Sequence, residues 1–545
     1  MRTFLSSIFL LLCLHTHCQP LTFGWGSTDI RYPLTGQPQD LSTKPLRLKA
    51  WRGERINAQA VAFSASDLNG VSIKVTSTLP DSLFTAHFVG YVWTDELNKE
   101  RNSGCGSRPN KAEWDSSLVA DILDIKLLAD IKAAHAQPVW LTISVPQDCR
   151  PGKYKGSLAL STGNSLPFEV EVLNRTLPSP GDWHFYLDLW QNPFAVARFH
   201  NVPLWSKEHF DAMRPIMKML AGIGQRAITA SIMHKPWNGQ TYDPYESMIG
   251  RTRRLDGSWA FDYTVFDRWV EFMLNDIGIT DAINCYTMIP WALSFDFYDQ
   301  ATNRVRFINA KPGDQAYTDY WLPFLKDFAR HLREKGWFER TAISMDERPM
   351  ELMREAIKVI RLADKDFKIT LAGGYHPEII DDLHFLSIPY GQRFPDDVKA
   401  RREANGQISA VYTCCAEAFP NSFTFSDPAE SAWTVLHALA AGYDGWLRWA
   451  VNSWTEDPLR DSRFWSWAAG DTYSIYPGPR SSIRFQRLTE GLQDCEKIHI
   501  LRQQLKGKAL ERLNATLAKF TPEYMATKKQ SASEMVRELH DLLNR

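Results

Sequence analysis

Beyond its first residues the sequence has no apolar run long enough to cross a bilayer and no surplus of either charge. It also lacks a CxxC or His/Cys cluster, and a glycine-rich phosphate turn after the first strand of its α/β region. Each absence removes a class of function. Lys and Arg number 62 against 63 Asp and Glu, so there is no electrostatic reason to expect nucleic acid or an anionic membrane. Scattered cysteines offer no zinc spacing, and neither a metal nor a cofactor is expected. Without the glycine-rich turn, a doubly wound nucleotide-binding sheet loses its main sign. The 545 residues leave room for two or three domains, on the usual scale of ~100–200 residues each.

The first residues have a different character. Arg2 gives a positive start, Phe4 to Leu14 an apolar stretch, and Thr16-His17-Cys18 a cleavage site before Gln19. The stretch is shorter than the ~20 residues a membrane helix needs, which favours a secretory signal over residues 1–18 and export to the periplasm or exterior. A lipid anchor on Cys18 is the weaker reading, because bulky His17 stands where a small residue is expected. Without Arg2, 61 basic residues face 63 acidic ones, a net charge of about −2. Six cysteines remain after Gln19, and in an exported protein Cys105 and Cys149 could pair.

What the chain has in quantity is tryptophan, 20 residues, most of them after Pro180. The indole fills cores, and it also stacks on the apolar faces of sugars. From Gln19 to Leu177 short alternating runs predict strands, among them Val71 to Ser77, Pro138 to Pro146 and Leu166 to Asn174. Gly and Pro punctuate them, as in a β-sandwich. Leu177-Pro178-Ser179-Pro180-Gly181 breaks the pattern. After it come eight strand-like runs, most separated by helical ones: Trp183 to Gln191, Ala227 to His234, Ala282 to Ile289, Thr341 to Glu347, Lys368 to Gly374, Leu383 to Pro389, Ile408 to Cys415 and Gly445 to Trp454. The count fits a (β/α)8 barrel. The predicted architecture is therefore multidomain, β plus α/β. A β-sandwich occupies 19–177, a TIM-like barrel 181–482 and a C-terminal helical segment 483–545, its last helix broken near Pro522.

In such a barrel, active groups gather at the C-terminal ends of the strands. Read in order, those ends are rich in Trp and Tyr, and only the fourth offers two carboxylates, Asp346 and Glu347. Neighbours within a strand point to opposite faces, so both reach one cavity only where the strand is ending, as Pro349 implies. Mutual repulsion and burial should then raise one pKa and leave an acid beside a base. Ordinary retaining glycosidases hold their carboxyls ~5–5.5 Å apart, usually on different strands. An adjacent pair better suits substrate-assisted cleavage, in which one carboxylate orients a 2-acetamido group and the other transfers the proton. A bland alternative exists, since acids before a helix are favoured by its dipole.

Several stretches resemble glycoside hydrolase family 123, the β-N-acetylgalactosaminidases. They are PGKYKGSLAL (Pro151 to Leu160), HFYLDLWQNP (His184 to Pro193), ISMDERP, GYDGWLRWAVNSW (Gly442 to Trp454), GDTYSIYPG (Gly470 to Gly478) and SSIRFQRLTEGLQDCEKIHIL (Ser481 to Leu501). The resemblance implies a retaining, substrate-assisted enzyme removing terminal N-acetylgalactosamine from glycans, with glycolipids as a further substrate class. By that pattern Asp346 polarises the acetamide, and Glu347 protonates the leaving oxygen and then activates water. Tyr375 and Tyr412 are the candidates for the acetamide oxygen. Trp449, Asn452 and Trp454 are candidates for ring and hydroxyl contacts, and His234 for O4 or O6. Cys414-Cys415 is expected to shape its loop rather than to react. Two alternatives stay open: a hexosaminidase or other glycosidase for a different sugar, and a non-catalytic glycan-binding protein. No partner beyond the glycan is indicated, and the oligomeric state is unassigned.

Overall fold

The computed structural model of the protein describes residues 21–95, 105, 108 and 110–545, so the export signal expected over 1–18 lies outside the described residues. Two five-stranded, largely antiparallel sheets form between Thr22 and Thr176. In the strand Ser165–Thr176, Leu166, Phe168, Val170 and Val172 are buried in alternation, as one core-facing side requires. They share a core with Trp25, Ala58, Val139 and Leu141 of the opposite sheet. Trp25 and Phe168 meet edge to face across it at 6.4 Å. This is the expected sandwich.

After Pro180 the eight expected barrel strands all form. They are Tyr186–Leu189, Ala227–Ser231, Ala282–Tyr286, Thr341–Met345, Lys368–Ala372, Phe385–Pro389, Ile408–Tyr412 and Gly445–Arg448. All run parallel, and the eighth pairs with the first. The first and second meet only through the bridge Leu187–Gln225, so the barrel is nearly closed. Its interior carries polar groups beneath the strand ends: Asn284 Nδ2 donates to Asp188 Oδ2 at 3.2 Å, and Thr370 Oγ1 to Ser344 Oγ at 2.7 Å. Burial pushes the Asp188 carboxyl up to about 7.

One element is unanticipated. The loops after the second and third strands each hold a hairpin, Gly250–Arg253 with Trp259–Asp262 and Ser294–Asp299 with Arg304–Asn309, joined into a four-stranded sheet. This sheet packs on the helix Gln315–Glu334 through Trp259 against Tyr320 and Phe261 against Phe324.

The C-terminal segment does more than flank the barrel. Helix Ile483–Gln504 is buried over most of its length. Arg484 pairs with Asp121 at 3.0 Å and Lys497 with Glu54 at 2.5 Å, both partners lying in the sandwich region. The expected break near Pro522 becomes two breaks, giving helices Gly507–Leu517, Pro522–Lys528 and Ala532–Leu543. Proline suits the first turn of the middle one, where its missing N–H costs nothing.

Candidate active site

The fourth strand stops at Met345, and Pro349 precedes the helix Met350–Ala363. Asp346 and Glu347 therefore lie in the bend between them. The Glu347 backbone N–H donates to Asp346 Oδ1 at 2.8 Å. With the strand ended, the rule of opposite faces no longer applies, and both side chains line one cavity of about 330 Å³.

Their surroundings differ. Asp346 Oδ2 accepts the Trp291 indole N–H at 3.1 Å. Asp346 is half-buried at the cavity wall, and desolvation there pushes its carboxyl up to about 6, against the lowering effect of the Glu347 N–H; the Glu347 charge adds to the rise. The Arg348 guanidinium lies over the Trp291 ring, 5.1 Å from its centroid. Glu347 is more exposed, and its Oε1 accepts the Tyr412 hydroxyl. Burial, then the Glu347 charge, hold the Tyr412 phenol far above its ordinary range, so it stays a donor. One acid is thus enclosed by rings, while the other is oriented by a phenol with its second oxygen available.

Five tryptophans, Trp190, Trp237, Trp291, Trp449 and Trp467, line the same cavity. Trp190 and Trp237 lie 5.1 Å apart, and Trp449 meets Trp467 edge to face at 5.7 Å. Trp467 Nε1 donates to the Gln240 carbonyl at 2.8 Å, tying two rim loops together. On another side stand Cys105, Cys414, Cys415 and Glu417. Here an expectation is corrected: Cys105 pairs with Cys415, Cα atoms 5.1 Å apart, whereas Cys149 is a buried free thiol. The reason is topological, since Cys105 belongs to a segment of the N-terminal region that reaches the barrel rim. Arg108 confirms that course by donating to the Trp467 carbonyl at 2.6 Å.

Of the sequence candidates, Asp346, Glu347, Tyr412 and Trp449 come together at the cavity. His234, Tyr375, Asn452 and Trp454 are not among its lining residues. His234 is half-buried beside it in sequence only. Tyr375 is half-buried against Phe394 at 6.1 Å. Asn452 and Trp454 need correction, because the eighth strand ends at Arg448 and the chain folds inward. Asn452 exchanges two 2.8 Å hydrogen bonds with the Asn192 backbone, and Trp454, fully buried, donates to the Ile475 carbonyl at 2.8 Å. Trp237 and Trp467 were missed, since both sit in loops with no periodicity to place them. Trp190 directly follows the first strand and Trp291 lies five residues past the third, in stretches whose aromatic content was the available sign.

A larger cleft of about 680 Å³ lies between the sandwich and the C-terminal helices. It is lined by charges of both signs with no Trp, Tyr or Phe, and offers no stacking surface. The adjacent carboxylates and the tryptophans line the smaller cavity.

Comparison with known proteins agrees. The family model for the glycoside hydrolase 123 catalytic domain matches residues 190–501, and that for the glycoside hydrolase 123 N-terminal domain residues 25–162. No curated protein matches the chain. Among solved structures, a family 123 glycoside hydrolase from Clostridium perfringens, described for glycolipid glycan hydrolysis, is 26% identical. It covers 96% of this chain and 99% of its own, with a TM-score of 0.85. A Bacteroides ovatus GH5 xyloglucanase, 9% identical with a TM-score of 0.32, covers 83% of this chain and 98% of its own. With both domains matched in order and the fold shared along nearly the whole chain, the protein belongs to glycoside hydrolase family 123 and is a glycoside hydrolase.

Proposed function

We propose that the protein is a secreted, exo-acting, retaining β-N-acetylgalactosaminidase that uses the substrate's own acetamido group on glycans or glycolipids. The observation that carries this reading is the adjacent pair Asp346 and Glu347, both lining one tryptophan-walled cavity in unlike surroundings. The glycolipid substrate class draws on the C. perfringens relative, whose described activity is glycolipid glycan hydrolysis.

The steps follow from the two environments. Above about pH 6 Asp346 is ionised and accepts the acetamido N–H. That contact holds the carbonyl oxygen against the anomeric carbon. Glu347 gives its proton to the glycosidic oxygen as that bond breaks, and the acetamide oxygen forms the new bond to the anomeric carbon. Asp346 stabilises the resulting oxazolinium-like cation in a tryptophan-walled cavity, where a fixed carboxylate is more effective than in bulk water. Tyr412 on Oε1 keeps Glu347 oriented, so that its other oxygen, now basic, takes a proton from the incoming water. Two displacements at one carbon give retention.

The test is release of nitrophenol from β-GalNAc and β-GlcNAc glycosides, with the anomer of the product followed by NMR. Turnover of the GalNAc substrate with retention, and inhibition by a thiazoline mimic of the intermediate, are expected. Preference for β-GlcNAc would move the assignment to a hexosaminidase of different specificity. Tight sugar binding with no turnover of either would favour the glycan-binding alternative.

A further inference from the structure

The stretch GDTYSIYPG has no role in the chemistry above, yet its second residue touches the cavity's wall from behind. Asp471 is buried, and each carboxylate oxygen takes one donor: Oδ1 from Arg448 Nη2 at 2.5 Å and Oδ2 from Trp449 Nε1 at 3.1 Å. The donors are consecutive, Arg448 last in the eighth strand and Trp449 first after it, and they reach the carboxylate from different sides. Arg448 turns to the loop after the seventh strand and donates to the Thr413 carbonyl at 3.0 Å and to Asn421 Oδ1 at 2.8 Å. Trp449 turns into the cavity. The loop that holds Asp471 also supplies Trp467, whose ring stands at 71° to Trp449.

A ring that receives a sugar must present its face at a fixed angle. Two side-chain torsions would otherwise let an indole at a cavity wall sample several poses. A charge-assisted bond to the indole N–H removes that freedom, provided the carboxylate is itself immobile. The Arg448 bond supplies this immobility.

We propose that Asp471 is a positioning residue for substrate binding, bracing the Trp449 indole through Nε1, with Arg448 as anchor, so that Trp449 and Trp467 form a preset wall for the apolar face of the sugar. The inference rests on the hexosaminidase reading of the cavity and adds the residue that shapes its binding wall. Asp471 touches neither the sugar nor the reacting atoms, so its effect falls on substrate affinity and not on bond cleavage.

The experiment compares Trp449→Phe, Asp471→Asn and the double variant on the aryl β-glycoside that the wild type cleaves best. Trp449→Phe keeps a ring and removes the N–H, while Asp471→Asn keeps the shape and removes the charge. Each is expected to raise KM about tenfold, the scale of one charge-assisted hydrogen bond, with kcat within about twofold. The double variant should be no worse than the worse single one, because both remove the same bond. Multiplying effects in the double variant, or an unmoved KM in Trp449→Phe, would overturn the brace. If Asp471→Asn fails to fold, Arg448→Lys takes its place, since it loosens the anchor while leaving Trp449 and Asp471 themselves unchanged; the same rise in KM is expected, and an unmoved KM overturns the brace. A wild type that cleaves no β-linked 2-acetamido sugar overturns the proposed function, whereas an active wild type with an unmoved Trp449→Phe overturns this inference only.

Discussion

The ends of the fourth and eighth barrel strands carry similar sequence signals and meet different fates. The fourth runs into Asp346-Glu347 and places both in the cavity; the eighth runs into Trp449, Asn452 and Trp454 and places only the first there. What separates them is what holds the chain after the strand: Asn452 is bonded to the Asn192 backbone and Trp454 to the Ile475 carbonyl. Trp190, Asp346, Glu347 and Trp449 lie one or two residues beyond their strands, Ala372, Pro389 and Tyr412 are last residues, and all line the cavity. His234 and Tyr375 lie three residues beyond, Asn452 four and Trp454 six, and none lines it. Distance alone does not decide entry, because Trp291 and Trp237, five and six residues past their strands, line the cavity as well; the partners that hold each side chain do. Chemistry then decides what the residue does.

That comparison is broken most severely at the fourth strand. Glu347→Gln keeps the Tyr412 acceptor but has no proton to give, and should lower kcat on the nitrophenyl glycoside by about 10²–10⁴-fold. Asp346→Asn is expected to lose about 10²–10³-fold, as for removal of one electrostatic contact made in the transition state. It carries a second signature. The Asp346 carboxyl is raised to about 6 in the folded protein, above its unfolded value, so the native state favours the proton. Stability is then greatest in acid and is lost as pH rises through the folded pKa. Asp346→Asn should accordingly melt higher than wild type at pH 7, with the gap closing as pH falls below 6. Wild-type kcat/KM should decline over the same interval, as Asp346 takes up its proton. An inactive variant that is not stabilised at pH 7 would show that enclosure is not what perturbs this acid.

The barrel was legible because its strands are buried on both faces and read as short apolar runs, TAISM and ISAVY among them. The sandwich was legible through alternation. The acid pair could be read because Pro349 makes the end of the strand visible in the sequence. Other features left no such mark. Arg304–Asn309 is largely exposed, so its alternation of Arg, Val, Arg and Phe points to no core. Cys105 and Cys415 are 310 residues apart, and separation along the chain carries no information on proximity. Trp237 and Trp467 sit in loops whose course depends on what they pack against. The inward fold of Asn452 is a tertiary event too, because its partner Asn192 lies 260 residues away.

The disulfide offers a milder way to sharpen the comparison. It fastens the N-terminal segment to the loop after the seventh strand, close behind Tyr412. Cys105→Ser is expected to cost about 2–4 kcal/mol of stability, the usual scale for a native bridge closing a long loop. KM should rise a few-fold, measured beside the melting temperature, because that side of the cavity loses its clamp. An unchanged KM would mean that the loop after the seventh strand is held by the Arg448 and Asn421 contacts without it.

The smallest effect on catalysis is expected at Asn452, and it tests directly whether its backbone partner keeps it out of the site. Its amide satisfies both the N–H and the carbonyl of Asn192 in a fully buried setting. Asn452→Ala would strand two buried backbone groups, at about 1–3 kcal/mol each where no water replaces the amide. The melting temperature should therefore fall clearly. KM and kcat of the folded enzyme should stay within about twofold of wild type, because the Asn452 amide is engaged with the Asn192 backbone and does not line the cavity. If KM rose tenfold while the melting temperature held, Asn452 would be a sugar contact after all, and its bonds to Asn192 would not be what keeps it from the cavity.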